Sequence, residues 1–284
     1  MKKTIVFALL LLFSIAASAQ QKIDVAVKQV NDRRTNGFFA QLGIALELPK
    51  IQSADVASSR VLVSTAVDET GRDLVDREAQ EPQLEVNHRQ AMKPPMPAQV
   101  SVTLKNPDRR ATKVKEVRGE IELFMPSKDP NSVAEVAKFV TMGGKALSHK
   151  ALKANGVEIT LLAPAQVEAE KKRRADEKKK EYTEAGYDAD TIASLITSLL
   201  ESLLVVEENE LVVRIKDPNK RIQQLSYVDA AGEPKFFSTR EDEGLVRLST
   251  WEGKPSADWK LRVSMRTPKN IARYSFALND VPLP

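Results

Sequence analysis

Apolar and polar residues alternate with a period of two through most of this chain, and this pattern constrains its fold more than any other feature. In KVKEVRGEIELFM (113–125), apolar residues alternate with a charged set that ends at Glu122 and is expected to face water. Such alternation indicates strands with one buried and one solvated face, which favours antiparallel sheets over parallel ones. In GFFAQLGIALELP (37–49), one predicted face carries Phe38, Ala40, Leu42, Ile44, Leu46 and Leu48.

The C-terminal part contains about six short strand patterns separated by turn signals such as Asp217-Pro218-Asn219. In architecture it resembles an immunoglobulin-like or fibronectin-like sandwich, although the Cys…Trp…Cys spacing of true immunoglobulin domains is absent. We therefore predict a mainly β protein with two antiparallel, immunoglobulin-like β-sandwich domains and a helical insertion between them. The predicted segments are a signal peptide (1–19), an N-terminal domain (20–164), a helical segment (165–206) and a C-terminal domain (207–284).

The first 19 residues have the features of a secretory signal peptide. A basic start, MKK, precedes the apolar run TIVFALLLLFSIAASA, which ends in the small-residue cleavage site Ala17-Ser18-Ala19. We predict a mature chain that begins at Gln20, is periplasmic or secreted, and has no stable membrane insertion after cleavage. Because the sequence has no cysteine, it offers no disulfide, no lipidation site and no thiolate metal ligand.

The segment YDADTIASLITSLLESLL (187–204) has the strongest helical periodicity in the chain. Asp188 or Asp190 can cap its start. Its polar face carries no lysine, which argues against binding to a membrane surface. We expect the apolar stripe to pack within the same chain, against a sheet or at the hinge between the two domains, and a homodimer through 188–204 is the alternative. The stripe consists of Ile192, Leu195, Ile196, Leu199, Leu200, Leu203 and Leu204.

The preceding segment, QVEAEKKRRADEKKKEYTEAG (166–186), is charged and lacks an apolar stripe. Its lysines and arginines alternate with acids, and pairs such as Glu170 with Arg174 stand four residues apart, which supports an exposed helix. The formal net charge of the whole chain is only +4. We therefore interpret the basic run as a solvated helix face and expect no nucleic-acid partner.

Two stretches share a turn pattern. VTLKNPDRR (102–110) and VRIKDPNKR (213–221) each run from a strand through a lysine and an Asx-Pro pair to two basic residues. An Asx-Pro pair ends a strand and opens a turn. Shared turn chemistry therefore explains the similarity better than an internal duplication does.

Groups that could carry out catalysis are few. The two histidines, His88 and His149, lack metal-ligand spacing, and the sequence has no nucleophile motif or phosphate-binding loop. We expect a protein that is not an enzyme and that uses no cofactor or metal. Paired carboxylates need no sequence motif, so a hydrolase that uses them remains the alternative. The candidate binding residues are Trp251, in the turn STWEGKPSAD, and His149.

Together these patterns predict an exported, non-catalytic binding or structural protein of a bacterial-type cell envelope. Its expected partner is a protein or another component of the envelope. The alternatives are an envelope hydrolase and a subunit of a larger envelope assembly.

Overall fold

The computed structural model describes residues 21–34, 40–78, 84–87, 94, 96–202, 205–235, 237–242, 244–251 and 253–284, so the predicted signal peptide lies outside the described residues. The fold is mainly β, as predicted, and the described residues form three α-helices: α1 (Lys150–Asn155), α2 (Pro164–Glu184) and α3 (Ala189–Ser202). The strands are β1 (Gln21–Lys22), β2 (Ala26–Arg33), β3 (Gln41–Gln52), β4 (Ser58–Asp68), β5 (Glu85–Val86), β6 (Pro97–Leu104), β7 (Lys113–Phe124), β8 (Val133–Ala137), β9 (Glu158–Leu161), β10 (Glu210–Lys216), β11 (Ile222–Val228), β12 (Pro234–Lys235), β13 (Phe237–Asp242), β14 (Leu245–Thr250), β15 (Lys260–Met265) and β16 (Ile271–Pro282).

The chain divides into two compact units whose boundaries differ from those of the predicted domains. Unit 1 contains Met1–Ala54, Ser58–Leu123 and Arg273–Pro284, and unit 2 contains Asp55–Ala57 and Phe124–Ala272. The predicted boundaries at 164 and 207 fall inside unit 2, because strands on either side of the helices pair with each other. β8 pairs with β15 and β9 pairs with β10, both antiparallel. Pairing across more than forty residues leaves no local sequence signal.

The described strands of unit 1 form two sheets. One has the strand order β1-β16-β7-β4-β5, and the other has the order β2-β3-β6. β3 pairs antiparallel with both β2 and β6, whereas the two-residue β1 runs parallel to β16. The predicted apolar face is confirmed at four positions of β3, which are fully buried: Leu42, Ile44, Leu46 and Leu48. It is wrong at Ala40, which precedes β3 and is exposed, and Phe38 lies outside the described residues.

Glu122 in β7 corrects the expectation that the charged residues of this strand all face water. Its side chain is only 1% exposed. Arg60 Nε lies 3.3 Å from one carboxylate oxygen, and Arg273 Nε donates to the other at 3.0 Å. A buried carboxylate is tolerated when it is paired with cations, and these two arginines come from strands that are distant in sequence.

Unit 2 also contains two sheets, of order β13-β14-β10-β9 and β12-β11-β15-β8, and side chains from both enter one hydrophobic core. Tyr227 lies at its centre, with its ring centroid 5.3 Å from that of Phe139 and 5.9 Å from that of Trp259. In the sequence, Trp259 alternates with Leu261, Val263 and Met265, which predicts a core position, and its exposure of 8% confirms this prediction. The core of unit 2 is therefore built from aromatic side chains that are far apart in sequence.

The Tyr227 hydroxyl is buried and has no hydrogen-bond partner among the described residues. Burial raises the pKa of this phenol, because the charged form would be poorly solvated. Since a buried hydroxyl without a partner destabilises a protein, we expect Tyr227→Phe to leave the free energy of unfolding unchanged or to raise it by about 1 kcal/mol. Urea unfolding of both proteins measures the difference, and a loss of more than about 1 kcal/mol would reveal an unseen partner for the hydroxyl.

Candidate functional site

Helices α2 and α3 form a hairpin with a short, well-defined turn. Gly186 adopts φ +82°, a left-handed conformation that ends α2 without a side-chain clash. The Tyr187 amide donates to the Tyr182 carbonyl at 3.2 Å, and the two rings meet edge to face with centroids 5.7 Å apart. The turn therefore fixes the direction in which α3 leaves α2.

Asp188 caps α3, as the sequence suggested. Its Oδ1 accepts a hydrogen bond from the Thr191 amide at 2.9 Å, and its Oδ2 accepts one from the Thr191 hydroxyl at 2.7 Å. The hydrogen bond from the Thr191 amide lowers the pKa of the Asp188 carboxyl below its ordinary value. The positive end of the helix dipole also stabilises the charged carboxylate. Asp188 therefore fixes the residue at which α3 begins.

The apolar stripe of α3 is only partly covered. Ile192 is buried, and Ile196 and Leu199 are half-buried, whereas Leu195 and Leu200 are 38% and 42% exposed. At 100° per residue, these last two lie on opposite margins of the stripe, and the covered residues lie between them. α3 packs against α2. One helix covers the centre of so wide a stripe and leaves its margins in water. Leu203 and Leu204 lie outside the described residues.

Further apolar side chains are exposed on both sides of α3. Tyr187 precedes the helix and is exposed, and Val205 and Val206 follow it and are exposed. We call the exposed residues Tyr187, Leu195, Leu200, Val205 and Val206 the hairpin apolar surface. The segment 188–210 also contains six acids and no lysine or arginine, so acidic residues accompany this surface.

α2 is not solvated all round, contrary to the expectation from its charge pattern. Glu170 and Arg174 are buried, together with Val167 and Ala175, which lie on the same side of the helix. Val167 shares a small core with Leu162, Val212 and Leu245 of the same unit. The charged pair is thus part of the contact between the helix and the β10 sheet.

The Glu170 carboxylate accepts hydrogen bonds from three arginines. Its Oε1 accepts hydrogen bonds from Arg173 at 2.5 Å and from Arg174 at 3.1 Å, and its Oε2 accepts one from Arg214 of β10 at 3.3 Å. The hydrogen bond from Arg173 is the largest influence on the carboxyl, and with Arg174 it lowers the pKa of Glu170 to about 2 despite burial. An acid held ionised in this way is a structural anchor and a poor proton donor.

The two candidate binding residues lie on separate elements. His149 is the N-cap of α1, where its Nδ1 accepts a hydrogen bond from the Ala151 amide at 3.1 Å. That role is structural and could have been inferred from its position before the KALKAN helix. Trp251 follows β14 and is 80% exposed, as expected for a turn residue. His88 lies outside the described residues.

Sequence reasoning did not anticipate a polar cleft in unit 2. The cleft has a volume of about 410 Å3 and is lined by four segments, namely the turns at 129–131, 217–221 and 267–269 and the end of α1. Arg221 and Lys269 are its cations and Asp129 is its carboxylate. The turn 217–221 belongs to the repeated Asx-Pro pattern, and this pattern was the one feature of the sequence that pointed to the cleft.

The two copies of that pattern are bonded differently. Asp217 accepts hydrogen bonds from the amides of Arg221 at 2.9 Å and Ile222 at 2.7 Å, and so closes the turn onto itself. In the first copy, Asn106 instead donates to Asp32 at 2.7 Å. The two turns therefore differ in their hydrogen bonds although their sequences share a pattern.

Within the described part of the chain, no three His, Asp or Glu residues come together as a metal site would require. No described helix is both long and apolar enough to cross a membrane, since α2 has the length but is charged throughout. No family model, curated protein or solved structure matches this chain.

Proposed function

We propose that the protein is an exported, non-catalytic binding protein of a bacterial-type cell envelope and that it binds a protein partner through the hairpin apolar surface. The observation that carries this proposal is the exposure of Leu195 and Leu200 on the margins of the α3 stripe, with Val205 and Val206 beyond the helix. Leaving large aliphatic side chains in water forgoes about 25 cal/mol for each Å2 of apolar surface. Large exposed apolar patches mark interaction surfaces, and here the exposed side chains flank α3 on both margins of its stripe and follow its C-terminal end.

The charge around this surface indicates what kind of partner it fits. The segment 188–210 carries six acids and no base, and of these acids Glu210 is already paired with Arg247 of β14. A partner gains from basic side chains that meet the other five. The same acids would be repelled by an anionic lipid headgroup, which argues against a membrane as the occupant. A second copy of the chain could supply the basic groups from α2. It is therefore one of the outcomes that the experiment must distinguish.

The non-catalytic part of the proposal is supported by the state of the buried acids. Glu122 and Glu170 are each paired with arginines. At Glu170 these partners lower the pKa of the carboxyl, which makes it a poor proton donor. His149 caps a helix. The envelope location rests on the signal-peptide pattern of residues 1–19, and the arrangement of two sheets in each unit supports immunoglobulin-like sandwiches as the finer description of the fold.

Site-specific photocrosslinking in cells tests this proposal. A photoreactive amino acid at Leu195 or Leu200 is expected to give a discrete crosslinked product, whereas the same group at Ser194, which is exposed on the opposite face of α3, should not. Mass spectrometry of the product identifies either a different protein, as proposed, or a second copy of this chain. The intact mass of the exported protein should also show loss of residues 1–19.

A double variant separates binding from folding. Because Leu195 and Leu200 are partly exposed, Leu195→Ser with Leu200→Ser should lower the free energy of unfolding by no more than about 2 kcal/mol, part of which is lost helix propensity. The same double variant removes two apolar contacts from the proposed interface. With the photoreactive amino acid placed at Val205, the yield of crosslinked product should therefore fall by about tenfold or more. An undiminished crosslink would show that the partner does not use this surface. Crosslinks that are equal at Leu195 and Ser194 would contradict the proposal.

A further inference from the structure

The polar cleft of unit 2 is lined by cations that are not paired within the described part of the protein. Its two cations, Arg221 and Lys269, make no ion pair with any described residue. The one carboxylate in its lining, Asp129, is occupied by internal hydrogen bonds. Its Oδ1 accepts from the Asn131 amide at 2.9 Å and its Oδ2 accepts from the Thr267 hydroxyl at 2.7 Å. Hydrogen bonds do not remove the charge of this carboxylate, so a lining of two cations and one carboxylate has one net positive charge.

Buried polar residues hold the cleft walls in place. The Asn270 side chain donates to the Ser132 hydroxyl and to the Met265 carbonyl, each at 2.7 Å, and accepts from the Thr267 amide at 2.8 Å. Asn270 and Ser132 are fully buried, and Asp129 and Thr267 are nearly so. This network joins the turn that carries Lys269 to the turn at 129–131. Such satisfied buried networks make the surrounding backbone rigid.

The opposite wall is fixed as well. Asp217 closes the turn that carries Arg221 by accepting two backbone amides. Gly156 ends α1 at φ +68°, and a Cβ at this position would lie 3.7 Å from Nδ2 of Asn219. The backbone of Gly156 therefore lies close to the Asn219 amide group. That amide group lines the cleft and makes no hydrogen bond to the described residues.

We propose that this cleft binds a small molecule through an anionic oxygen group, a phosphate or a carboxylate, held by the Arg221 guanidinium, the Lys269 ammonium and the Asn219 amide. Guanidinium and ammonium groups are the usual protein partners of these oxyanions. A volume of about 410 Å3 suits a small metabolite. A metal ion is disfavoured there, because the carboxylate oxygens of Asp129 already accept hydrogen bonds and two cations face the site.

Titration of the purified protein with inorganic phosphate, and separately with citrate, tests the proposal. Backbone amide resonances of the non-proline residues in 129–131, 155–156, 217–221 and 267–269 are expected to shift in a saturable way at constant ionic strength. Sodium chloride should not reproduce these shifts. A response to phosphate alone identifies the ligand group as a phosphate, a response to citrate alone identifies a carboxylate, and no response to either overturns the proposal.

Charge-removing variants locate the response. Arg221→Gln and Lys269→Gln should each weaken binding by about tenfold, since each loses a charge-assisted contact with the anion. Lys153→Gln is the matched control, because this exposed lysine lies on α1 next to the cleft but not in its lining. Equal weakening by all three variants would indicate a general charge effect and would contradict a defined site. Amide spectra of the free variants report whether each remains folded.

Discussion

Gly119→Ala is expected to lower the free energy of unfolding of unit 1 by about 3 kcal/mol, a large effect for the addition of one methyl group. Gly119 lies in β7, beside β4 in the five-stranded sheet. A Cβ there would lie well inside van der Waals distance of the Leu62 carbonyl oxygen, 3.1 Å from Val63 Cα and 2.9 Å from Phe276 Cε1. Because two of these three atoms belong to backbone, a side-chain rotation cannot relieve the overlap.

Gly43→Ala is the matched control for this experiment. Gly43 lies in β3 of the same unit, and the nearest atom to a Cβ there is the Asn31 carbonyl oxygen at 3.9 Å. It should cost less than about 1 kcal/mol or stabilise the strand, because alanine has less freedom than glycine in the unfolded chain. Urea unfolding measures the free energy of unfolding of both variants, and hydrogen exchange of the unit 1 strands shows whether the loss lies in this unit. Equal stabilities for the two would mean that β4 and β7 do not approach as closely as described.

Local sequence patterns predicted the local structure of this protein. The period-two alternation identified the buried side of β3, because the alternation of side chains along a strand is fixed by backbone geometry. The Asp188 cap also followed from local sequence, since a capping side chain reaches only its own first turn. The core position of Trp259 followed from the alternation along β15.

The features that the sequence did not predict depend on residues that are far apart in the chain. Glu122 is buried because Arg60 and Arg273 cover it, and neither arginine is near it in sequence. Exposure of Leu195 reflects the packing of α3 against one helix rather than a sheet face, and nothing in the stripe itself specifies its neighbour. The polar cleft likewise needs four turns to meet, and only one of them had a notable sequence.

Glu170→Ala is the second substitution with a large expected effect, about 3 kcal/mol of lost stability at neutral pH. Three guanidiniums share this carboxylate, and one of them, that of Arg174, is only 3% exposed. Removing the acid deprives a buried cation of a partner and breaks the ion pair between α2 and Arg214 of β10. The hairpin should therefore be destabilised where it joins the sheet.

Glu177→Ala is the control, because Glu177 is on the same helix and, among the described residues, pairs only with Arg173. Its side chain is 63% exposed, so its loss should cost at most about 0.5 kcal/mol. Both changes replace glutamate with alanine within α2, so their effects on helix propensity are similar. Urea unfolding at pH 7 measures both variants, and similar losses would show that Glu170 is not the centre of the network.

The pH dependence provides a separate check on the same carboxylate. The pKa of Glu170 is lowered from 4.5 to about 2 in the folded protein. The group therefore binds its proton more readily when the chain is unfolded, and its contribution to stability is complete above about pH 4.5. That contribution is lost as the pH falls towards 2. The stability difference between the wild-type protein and Glu170→Ala should thus shrink over this range, whereas the small difference for Glu177→Ala should barely change. A Glu170→Ala difference that stayed constant from pH 7 to pH 2 would mean that the lost stability comes from packing rather than from the ionised carboxylate.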